Sequence, residues 1–402
     1  MRICLITPEF PPHRYGGIGR YVHGLATGLF SRGHKVVVAG YQLHSERMID
    51  HEWGRSVSVV WNGRFLWRFR KVGHLLSASL ALRKWCKEVR NEFDIIEAPN
   101  WGGHGFLLPQ LQCPLIVRLS TPHLDTLAHP PTFQDRVINK AETYLGRRAA
   151  LIISNSRAMA EKAAMRYGVR QPNTVIPHGI EPGRTPAVTP NATVDLVFVG
   201  RAEHRKGMDL ILLALDELLE RESLLTMTFI GTNLDAYVKK EPRCVSILTR
   251  LRQTCPSRFR ELGMVSELEK ERILREADWS LMPSRFESFG IVAIEAMREG
   301  TPIIASLGSG IEEVAKFTPT TLFVSPGDGE DLVKAIKQAI RLGPHYKETV
   351  ARSIREVFLS HFTAEAMVSA TENVYMEVLR QVSHQGASSL KLSHGRYPSI
   401  PR

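Results

Sequence analysis

The feature that most constrains the fold is a strand–loop–helix–strand unit that occurs twice in the chain. In the first copy, a short apolar run at 2–7 predicts a buried strand, and a loop rich in Gly and Pro follows at 11–19. Apolar residues at helical spacing then predict a helix that ends at Gly33, before a second strand at Lys35–Tyr41. The second copy begins at Asp195–Gly200, about 190 residues later. The repetition predicts two domains of the same type.

Further apolar stretches in both halves have the length of strands. We expect strands at 94–98, 115–119 and 151–154 in the first half and at 226–230, 279–283, 302–305 and 321–324 in the second. Strands that alternate with helices form parallel sheets, and such sheets bind ligands at the carboxyl ends of their strands. We therefore predict an α/β chain of two Rossmann-like β/α/β domains that face a central cleft.

The chain length and one Pro-rich stretch set the predicted domain boundaries. A length of 402 residues is large for one hydrophobic core and suits two domains. The repeated units are separated by a segment with three prolines and two glycines, which is typical of a linker. The predicted parts are a first domain at 1–177, a linker at 178–193, a second domain at 194–360, a terminal helix at 361–382 and a flexible tail at 383–402.

The composition argues against several classes of protein. No run of apolar residues approaches the ~20 that a spanning helix needs, and the start of the chain suits a strand better than a signal peptide. The five cysteines lack Cys-x-x-Cys spacing, which argues against a zinc site or a disulfide framework. The motifs of serine hydrolases, zinc proteases and P-loop ATPases are missing, as is Asp-x-Asp. We expect a cytoplasmic protein that needs no metal and no cofactor.

The basic charge is concentrated in one part of the first half. Residues 55–90 contain nine Lys or Arg and a single acidic residue. Such a segment favours an anionic partner, which could be a phosphorylated substrate, an acidic lipid surface or nucleic acid. Within it, residues 61–72 interleave aromatic residues with arginines, as a membrane-interface or phosphate-recognising element would; the alternative is an aromatic patch packed under a loop with solvated arginines. Nucleic acid is less favoured because no nucleic-acid-binding motif accompanies the charge.

The stretch 283–300 predicts a strand end followed by a helix with an anion site at its start. Ser288 is expected to cap the helix and Gly300 to end it. The residues whose backbone amides are then expected to meet a diphosphate are Ser288, Phe289, Gly290 and Ile291.

Two carboxylates frame this helix start. Glu287 lies just before the helix, and Glu295 lies about two turns inside it on an otherwise apolar stretch. A carboxylate accepts two vicinal hydroxyl donors at once, so both acids suit a sugar or ribose ligand. The alternative is that Glu287 only complements the helix dipole and Glu295 is an exposed residue of an amphipathic helix.

The loop 200–207 follows another strand and is strongly basic. It lacks the Gly-x-Gly-x-x-Gly spacing of dinucleotide sites, which disfavours NAD. Arg201 and Lys206 could instead neutralise a pyrophosphate leaving group. The neighbouring His204 and Arg205 are open to the alternative that they are merely solvated.

The first half carries two weaker signals at strand ends. Gly16 and Gly17 lie in the turn between the first strand and the first helix, where backbone amides could meet phosphate. His123 follows the strand predicted at 115–119 and should therefore lie at the ligand-binding edge of its sheet.

Together these residues resemble glycosyltransferase family 4, whose members are retaining enzymes of GT-B fold. The resemblance covers about residues 1 to 380 and rests on Glu287-x7-Glu295, Gly200-Arg201…Lys206-Gly207, Gly16-Gly17 and Ile176–Glu181. It implies that Glu287 contacts the donor sugar, that Glu295 contacts the nucleoside ribose, and that Arg201 and Lys206 bind the diphosphate. Retention is attributed to attack of the acceptor on the face from which the leaving group departs.

For the first domain, the resemblance implies that Gly17 approaches the diphosphate through its backbone and that His123 lies beside the donor sugar. It also implies that the helix at 361–382 packs back on this domain. The chain departs from the family pattern twice, with His178 in place of an Asn and Leu124 in place of the acid after the His.

The resemblance therefore implies a metal-independent, retaining hexosyltransferase. Its donor would be a UDP-, GDP- or other nucleotide sugar. Its acceptor would be a glycan, a lipid or a polyprenyl-diphosphate-linked glycan, as in bacterial surface polysaccharide assembly, with a peripheral membrane position as one option. The alternatives are a nucleotide-sugar epimerase of the same fold and a catalytically silent binding subunit.

Overall fold

The computed structural model describes residues 1–11, 16–60, 70–89, 91–127, 129–168, 173–183 and 192–385. The chain forms two compact units. The first contains Met1–Glu181 together with the chain from Ala364 onward, and the second contains Pro182–Thr363. The divisions therefore fall at Glu181–Pro182 and Thr363–Ala364. Most of the segment 61–72, residues 184–191 of the linker and residues 386–402 of the tail lie outside the described residues.

The described part of the first unit contains eight strands in one sheet. Its strands are β1 (Arg2–Ile6), β2 (Lys35–Tyr41), β3 (Met48–His51), β4 (Gly54–Val59), β5 (Ile95–Pro99), β6 (Leu115–Arg118), β7 (Leu151–Ser154) and β8 (Asn173–Val175). The sheet order is β3-β4-β2-β1-β5-β6-β7-β8, and every neighbouring pair is parallel except β3 with β4. The apolar sequence of its central strands is typical of parallel strands covered on both faces.

The helices of this unit are amphipathic and bury one stripe against the sheet. They are α1 (Gly17–Ser31), α2 (Arg70–Glu88), α3 (Phe133–Arg148), α4 (Arg157–Tyr167) and, at the end of the chain, α13 (Ala364–Gln385). Helix α13 packs on α1 so closely that a Cβ atom on Gly28 would collide with Val368. Tyr375 of α13 is fully buried and donates a 2.7 Å hydrogen bond to Glu97 in the middle of β5. The last helix is therefore part of the first unit's core.

The described part of the second unit contains a six-stranded, all-parallel sheet. Its strands are β9 (Val194–Val199), β10 (Leu225–Ile230), β11 (Phe259–Glu261), β12 (Trp279–Met282), β13 (Ile303–Ser306) and β14 (Leu322–Val324). Its helices are α5 (Met208–Leu218), α6 (Leu234–Val238), α7 (Val245–Thr254), α8 (Glu267–Glu276), α9 (Ile291–Arg298), α10 (Gly310–Ala315), α11 (Gly329–Leu342) and α12 (Tyr346–His361). The order β11-β10-β9-β12-β13-β14 places β9 next to β12. The loops that follow these two strands therefore meet at one edge.

The structure contains strands that were not predicted. The antiparallel pair of β3 and β4 was not predicted, nor were β8 and β11, because these strands contain polar residues and lack a continuous apolar run. The helical stretch after Pro344 is two helices, α12 and α13, broken at Phe362–Thr363. Phe362 is buried against Phe289 and Phe317, so the side chain that looked like one position of a continuous amphipathic helix packs at a helix end.

Candidate active site

In the second unit, two loops at the carboxyl ends of β9 and β12 are joined by direct backbone contacts. The Arg285 amide donates to the Arg205 carbonyl oxygen at 2.7 Å. Gly207 has a φ of 72°, and a Cβ atom there would collide with the Pro283 carbonyl oxygen. A residue without a side chain is therefore needed where the loops cross.

An ion pair fastens the same two loops. Arg285 makes a bidentate contact with Asp209 in the first turn of α5, at 2.7 Å and 2.8 Å, and donates to the His204 carbonyl oxygen at 2.7 Å. Burial works to raise the pKa of Asp209, but the hydrogen bonds and charge of Arg285 outweigh it, so the pKa lies below its usual range. Asp209 is thus ionised at neutral pH and can hold Arg285 in place.

Glu287 lies between two basic side chains of loop 200–207. Its Oε2 atom is 3.3 Å from Arg205 Nη1 and 3.7 Å from Lys206 Nζ, and its side chain is only 15% exposed. Burial works to raise the pKa of Glu287, but the charges of Lys206 and Arg205 prevail and lower it. The site therefore presents an ionised carboxylate between two cations.

The three basic residues of loop 200–207 differ in position. The Arg205 side chain is only 11% exposed and also donates to the Phe286 carbonyl oxygen at 2.8 Å, so the alternative that it is merely solvated is wrong. Lys206 lies over Gly200, where a Cβ atom would be 2.9 Å from Nζ. The Arg201 side chain is 76% exposed and pairs with Glu203 at 2.9 Å. Lys206 and Arg205 contact Glu287, whereas Arg201 lies at the exposed rim of the site.

The start of α9 differs from the sequence prediction. The residue before the helix is Gly290, with a φ of 92°, and not Ser288, which is buried and two residues upstream. A left-handed backbone favours glycine over a hydroxyl cap, and a Cβ atom on Gly290 would be 3.0 Å from Ile311 Cγ1. Ile291 is the first helical residue, and Phe289 is buried against Phe362. Of the predicted amide group, only Ile291 therefore belongs to the helix itself.

Glu295 lies inside α9 and is only 3% exposed, so the alternative of an exposed surface residue is wrong. Its Oε1 atom is 2.7 Å from Nζ of Lys270, a residue of α8 that is itself buried. Lys270 also contacts Glu267 at 2.7 Å. A buried carboxylate is thus matched by a buried cation from the neighbouring helix.

In the first unit, the glycine turn already binds a carboxylate of the same chain. Gly16 is the residue before α1, and Gly17 is its first helical residue. Oε1 of Glu9 accepts the Gly16 amide at 2.8 Å and the Gly19 amide at 3.2 Å. The turn therefore has the anion-binding character that the sequence predicted, with an internal anion as its ligand.

His123 follows β6, as predicted, at the start of a short 3-10 turn. Its Nε2 atom is 2.8 Å from Oδ1 of Asp135, which is fully buried and also contacts Lys71 Nζ at 2.8 Å. Burial works to raise the pKa of Asp135, but Lys71, Thr132 and His123 together lower it. An acid from α3 thus orients the imidazole.

A second buried acid supports the His123 backbone. Glu142 accepts the His123 amide at 3.1 Å, the Gly102 amide at 2.9 Å and the Tyr167 hydroxyl at 3.2 Å. Burial raises the pKa of Glu142 to about 8. The three hydrogen bonds, which favour the ionised form, therefore offset the effect of burial only in part.

Comparison with known proteins identifies the family. The "Glycosyltransferase Family 4" profile matches residues 15–184, and the "Glycosyl transferases group 1" profile matches residues 186–355. The chain belongs to glycosyltransferase family 4. The glycogen synthase of Mycobacterium tuberculosis is 26% identical over an alignment of 404 positions, which covers 94% of this chain and 95% of that protein. An uncharacterized glycosyltransferase of Methanocaldococcus jannaschii is 23% identical, over 93% and 98%.

Solved structures show the fold of this family 4 chain. The sucrose-phosphate synthase of Thermosynechococcus elongatus has a TM-score of 0.77 at 21% identity, with coverage of 94% of this chain and 99% of that one. Anabaena HepE, solved with UDP and glucose, has a TM-score of 0.71 at 19% identity, with coverage of 94% and 100%. The chain therefore has the GT-B fold, in agreement with the prediction.

Several residues of this glycosyltransferase's candidate site were not predicted from the sequence. They are Glu9, Lys71, Asp135, Glu142, Asp209, Lys270 and Arg285. These residues lie on other elements than the residues they contact, so spacing along the chain gave no signal. Arg285 lies within the motif 283–300, but nothing in that motif indicated its partner Asp209 in α5.

Two negative findings apply to the described residues only. No three His, Cys, Asp or Glu side chains there form a group that could hold a metal ion, and the expectation that no metal is required stays a prediction. None of the described helices is both long and apolar enough to cross a membrane.

Proposed function

We propose that this family 4 glycosyltransferase transfers a hexose from a nucleotide sugar, with retention of configuration and without a metal. The single observation that carries the proposal is the ionised Glu287 held between Arg205 and Lys206 at the ligand-binding edge of the second sheet. A carboxylate beside two cations suits a ligand that has both hydroxyl donors and a diphosphate. The complex of HepE with UDP and glucose supports the same donor class.

In this proposal the donor binds along the loops after β9 and β12. Glu287 accepts hydroxyls of the sugar and Glu295 accepts those of the ribose. Lys206 and Arg205 neutralise the diphosphate, the Ile291 amide at the start of α9 adds a donor, and Arg201 adds charge at the rim.

The chemical step requires stabilisation of the departing diphosphate. As the bond between the anomeric carbon and the diphosphate oxygen breaks, its electron pair moves to that oxygen, and Lys206 and Arg205 stabilise the added charge. The acceptor hydroxyl oxygen bonds to the anomeric carbon on the same face, and its proton passes to the departing phosphate oxygen. Retention then needs no enzyme nucleophile.

The first unit contributes His123 and the glycine turn in this proposal. Asp135 fixes the orientation of the His123 ring, which allows its other nitrogen to contact the donor sugar. Gly16 and Gly17 approach the diphosphate through their backbone, for which the carboxylate of Glu9 must yield its place.

For the acceptor we propose a glycan, a lipid or a polyprenyl-diphosphate-linked glycan, as in bacterial surface polysaccharide assembly. The excess of basic residues in 55–90 supports an anionic acceptor or an anionic membrane surface on the cytoplasmic side. The glycogen synthase name of one relative supports a glycan acceptor.

A thermal-shift screen against UDP-, GDP-, ADP- and dTDP-sugars tests the donor class. A bound donor raises the apparent stability by mass action, so one nucleotide series should raise the melting temperature above the others. Glu287→Gln should abolish most of the stabilisation by that donor, because contacts to the sugar hydroxyls are lost, while Glu220→Gln, an exposed acid of the same unit, should not change it. No response to any of the four series would contradict the donor assignment.

Transfer is then measured with the identified donor and a panel of acceptors. Glu287→Gln should slow transfer, with a loss of about 2–4 kcal/mol of transition-state stabilisation. Conversion of the donor to its epimer without an acceptor would favour the epimerase alternative, and wild-type turnover in Glu287→Gln would reject the proposed site.

Sedimentation with liposomes tests the membrane part. Vesicles that contain anionic lipid should bind the protein, and salt should release it. Replacement of Arg64 and Arg68 by Gln should weaken binding; Lys71 is left unchanged because it pairs with Asp135. Absence of binding to the anionic vesicles would reject the membrane hypothesis, and equal binding to neutral vesicles would reject its electrostatic basis.

A further inference from the structure

The first unit has an open cavity that none of the proposed donor contacts uses. It has a volume of about 670 Å³ and is lined by Arg83, Phe106, Leu107, Leu108, Pro109, Gln110, Tyr144 and Arg148. We call it the amino-edge cavity. Its size lies within the range of small-molecule sites, which is roughly 300–1,000 Å³.

The position of the cavity follows from the topology of the unit. Arg83 lies near the end of α2, which leads into β5; residues 106–110 precede β6; and the last turn of α3 leads into β7. Segments that precede parallel strands lie at the amino edge of the sheet. His123 follows β6 and lies at the opposite, carboxyl edge. Within the first unit, the cavity is therefore separate from His123.

The lining is cationic without a matching acid. Arg148 donates from Nη1 to the Leu108 carbonyl oxygen at 2.7 Å and from Nη2 to the Pro109 carbonyl oxygen at 2.9 Å. Arg83 donates from Nη1 to the Leu107 carbonyl oxygen at 3.2 Å. These partners are neutral, and none of the described lining residues is acidic. Two half-buried guanidinium charges therefore face one cavity uncancelled, which favours an anion.

The remaining walls indicate what the anion is attached to. Leu107 and Pro109 offer aliphatic surface, and the exposed Tyr144 ring has the Arg148 guanidinium over it, with Cζ 5.7 Å from the ring centroid. Because Arg148 occupies one face of the ring, the wall suits the C–H face of a pyranose better than a stacked purine. Gln110 supplies an amide that can both donate to and accept from hydroxyls.

We propose that the amino-edge cavity binds a phosphorylated hexose, with the phosphate on Arg83 and the ring against Tyr144 and Pro109. This inference does not rest on the proposed transfer activity. It makes the cavity a second carbohydrate site, formed by α2, α3 and the segment before β6.

Isothermal titration of the full chain with glucose 6-phosphate tests the proposal. We expect saturable binding that Arg83→Gln weakens about tenfold or more, because a charge-assisted contact to the phosphate is lost. Lys84→Gln is the matched control: it removes the same charge from the next residue of α2, which does not line the cavity, and should change affinity less than twofold. Tyr144→Ala should weaken binding as well.

Three further measurements separate recognition of the phosphorylated sugar from a folding defect, from binding at the candidate active site and from binding of phosphate alone. Arg83→Lys keeps the charge and should retain most of the affinity, which excludes a folding defect at that position. Glu287→Gln should bind glucose 6-phosphate like the wild type even where transfer is lost. Equal affinity in Arg83→Gln and wild type would overturn the proposal, as would inorganic phosphate binding as tightly as glucose 6-phosphate.

Discussion

Glu287 in the second unit and His123 in the first lie at equivalent places, each just after a strand of a parallel sheet, but they are held differently. Glu287 meets cations from one neighbouring loop, and the motif 200–207 already contains both. His123 depends on Asp135 from α3 and, through it, on Lys71 from α2. The comparison teaches that a site built from two adjacent loops leaves a motif in the sequence, whereas a site built by packed helices does not.

The largest effect is expected from removing the cation of the buried pair Lys270–Glu295, which joins two packed helices as Lys71–Asp135 does in the first unit. Lys270→Met leaves Glu295 as a buried carboxylate without its cation, so the free energy of unfolding should fall by about 3–5 kcal/mol in denaturant titrations. The double variant Lys270→Met, Glu295→Leu should recover most of that stability, because an apolar pair replaces the ion pair. If the single variant is as stable as the wild type, the pair does not stabilise this region.

The next effect tests the difference between the cations of loop 200–207. Lys206→Ala should lower kcat/KM for transfer, because the contacts with Glu287 and with the leaving group are lost. The expected loss of transition-state stabilisation is about 2–4 kcal/mol. Arg201→Ala should cost much less, because that side chain is 76% exposed at the rim. An equal fall in kcat/KM in both variants would show that contact with Glu287 does not distinguish the role of Lys206 from that of Arg201.

A pH titration of stability sharpens the account of the first unit. The pKa of Glu142 is raised to about 8 in the folded protein, against about 4.3 in an unfolded chain, so the folded state binds more protons between these values. The wild type should therefore lose stability as pH rises through this window, by about 1.4 kcal/mol for each pH unit. Glu142→Gln, which imitates the protonated form, should not show that loss. Parallel curves for the two proteins would contradict the raised pKa.

The smallest effect concerns the glycine turn. Glu9→Gln keeps an acceptor for the Gly16 and Gly19 amides but removes the charge at the start of α1. Stability should fall by about 0.3–1 kcal/mol, the scale of a charge at a helix end. High salt should shrink the difference; a difference that salt leaves unchanged would point to packing and not to charge.

Much of the fold was predictable from local patterns. The strands at 35–41 and 151–154 were predicted with the bounds that the structure gives, because runs of buried apolar residues between turn residues define them. The β3–β4 pair and the break between α12 and α13 were not, because pairing and packing with distant residues decide them.

The candidate site divides in the same way. The sequence singled out Glu287, Glu295 and Lys206, since their spacing around a strand end has a direct chemical meaning. It did not distinguish Arg205, which contacts Glu287, from Arg201, which is exposed and pairs with Glu203, because the position of a basic loop residue depends on which neighbouring loop it meets. The predicted Ser288 cap of α9 was wrong, because the residue before the helix is Gly290 in a left-handed backbone, close to Ile311.

The sequence by itself determined two parallel α/β units and the residue types of a donor site, because strand and helix periodicities and strand-end motifs are local properties. Tertiary structure alone decided which charges are buried together: Lys270 with Glu295, Asp209 with Arg285, and Asp135 with both His123 and Lys71. Each of these contacts joins residues of different elements. Burial and the charge of a distant partner set the pKa of a group, and neither is encoded in the residues beside it.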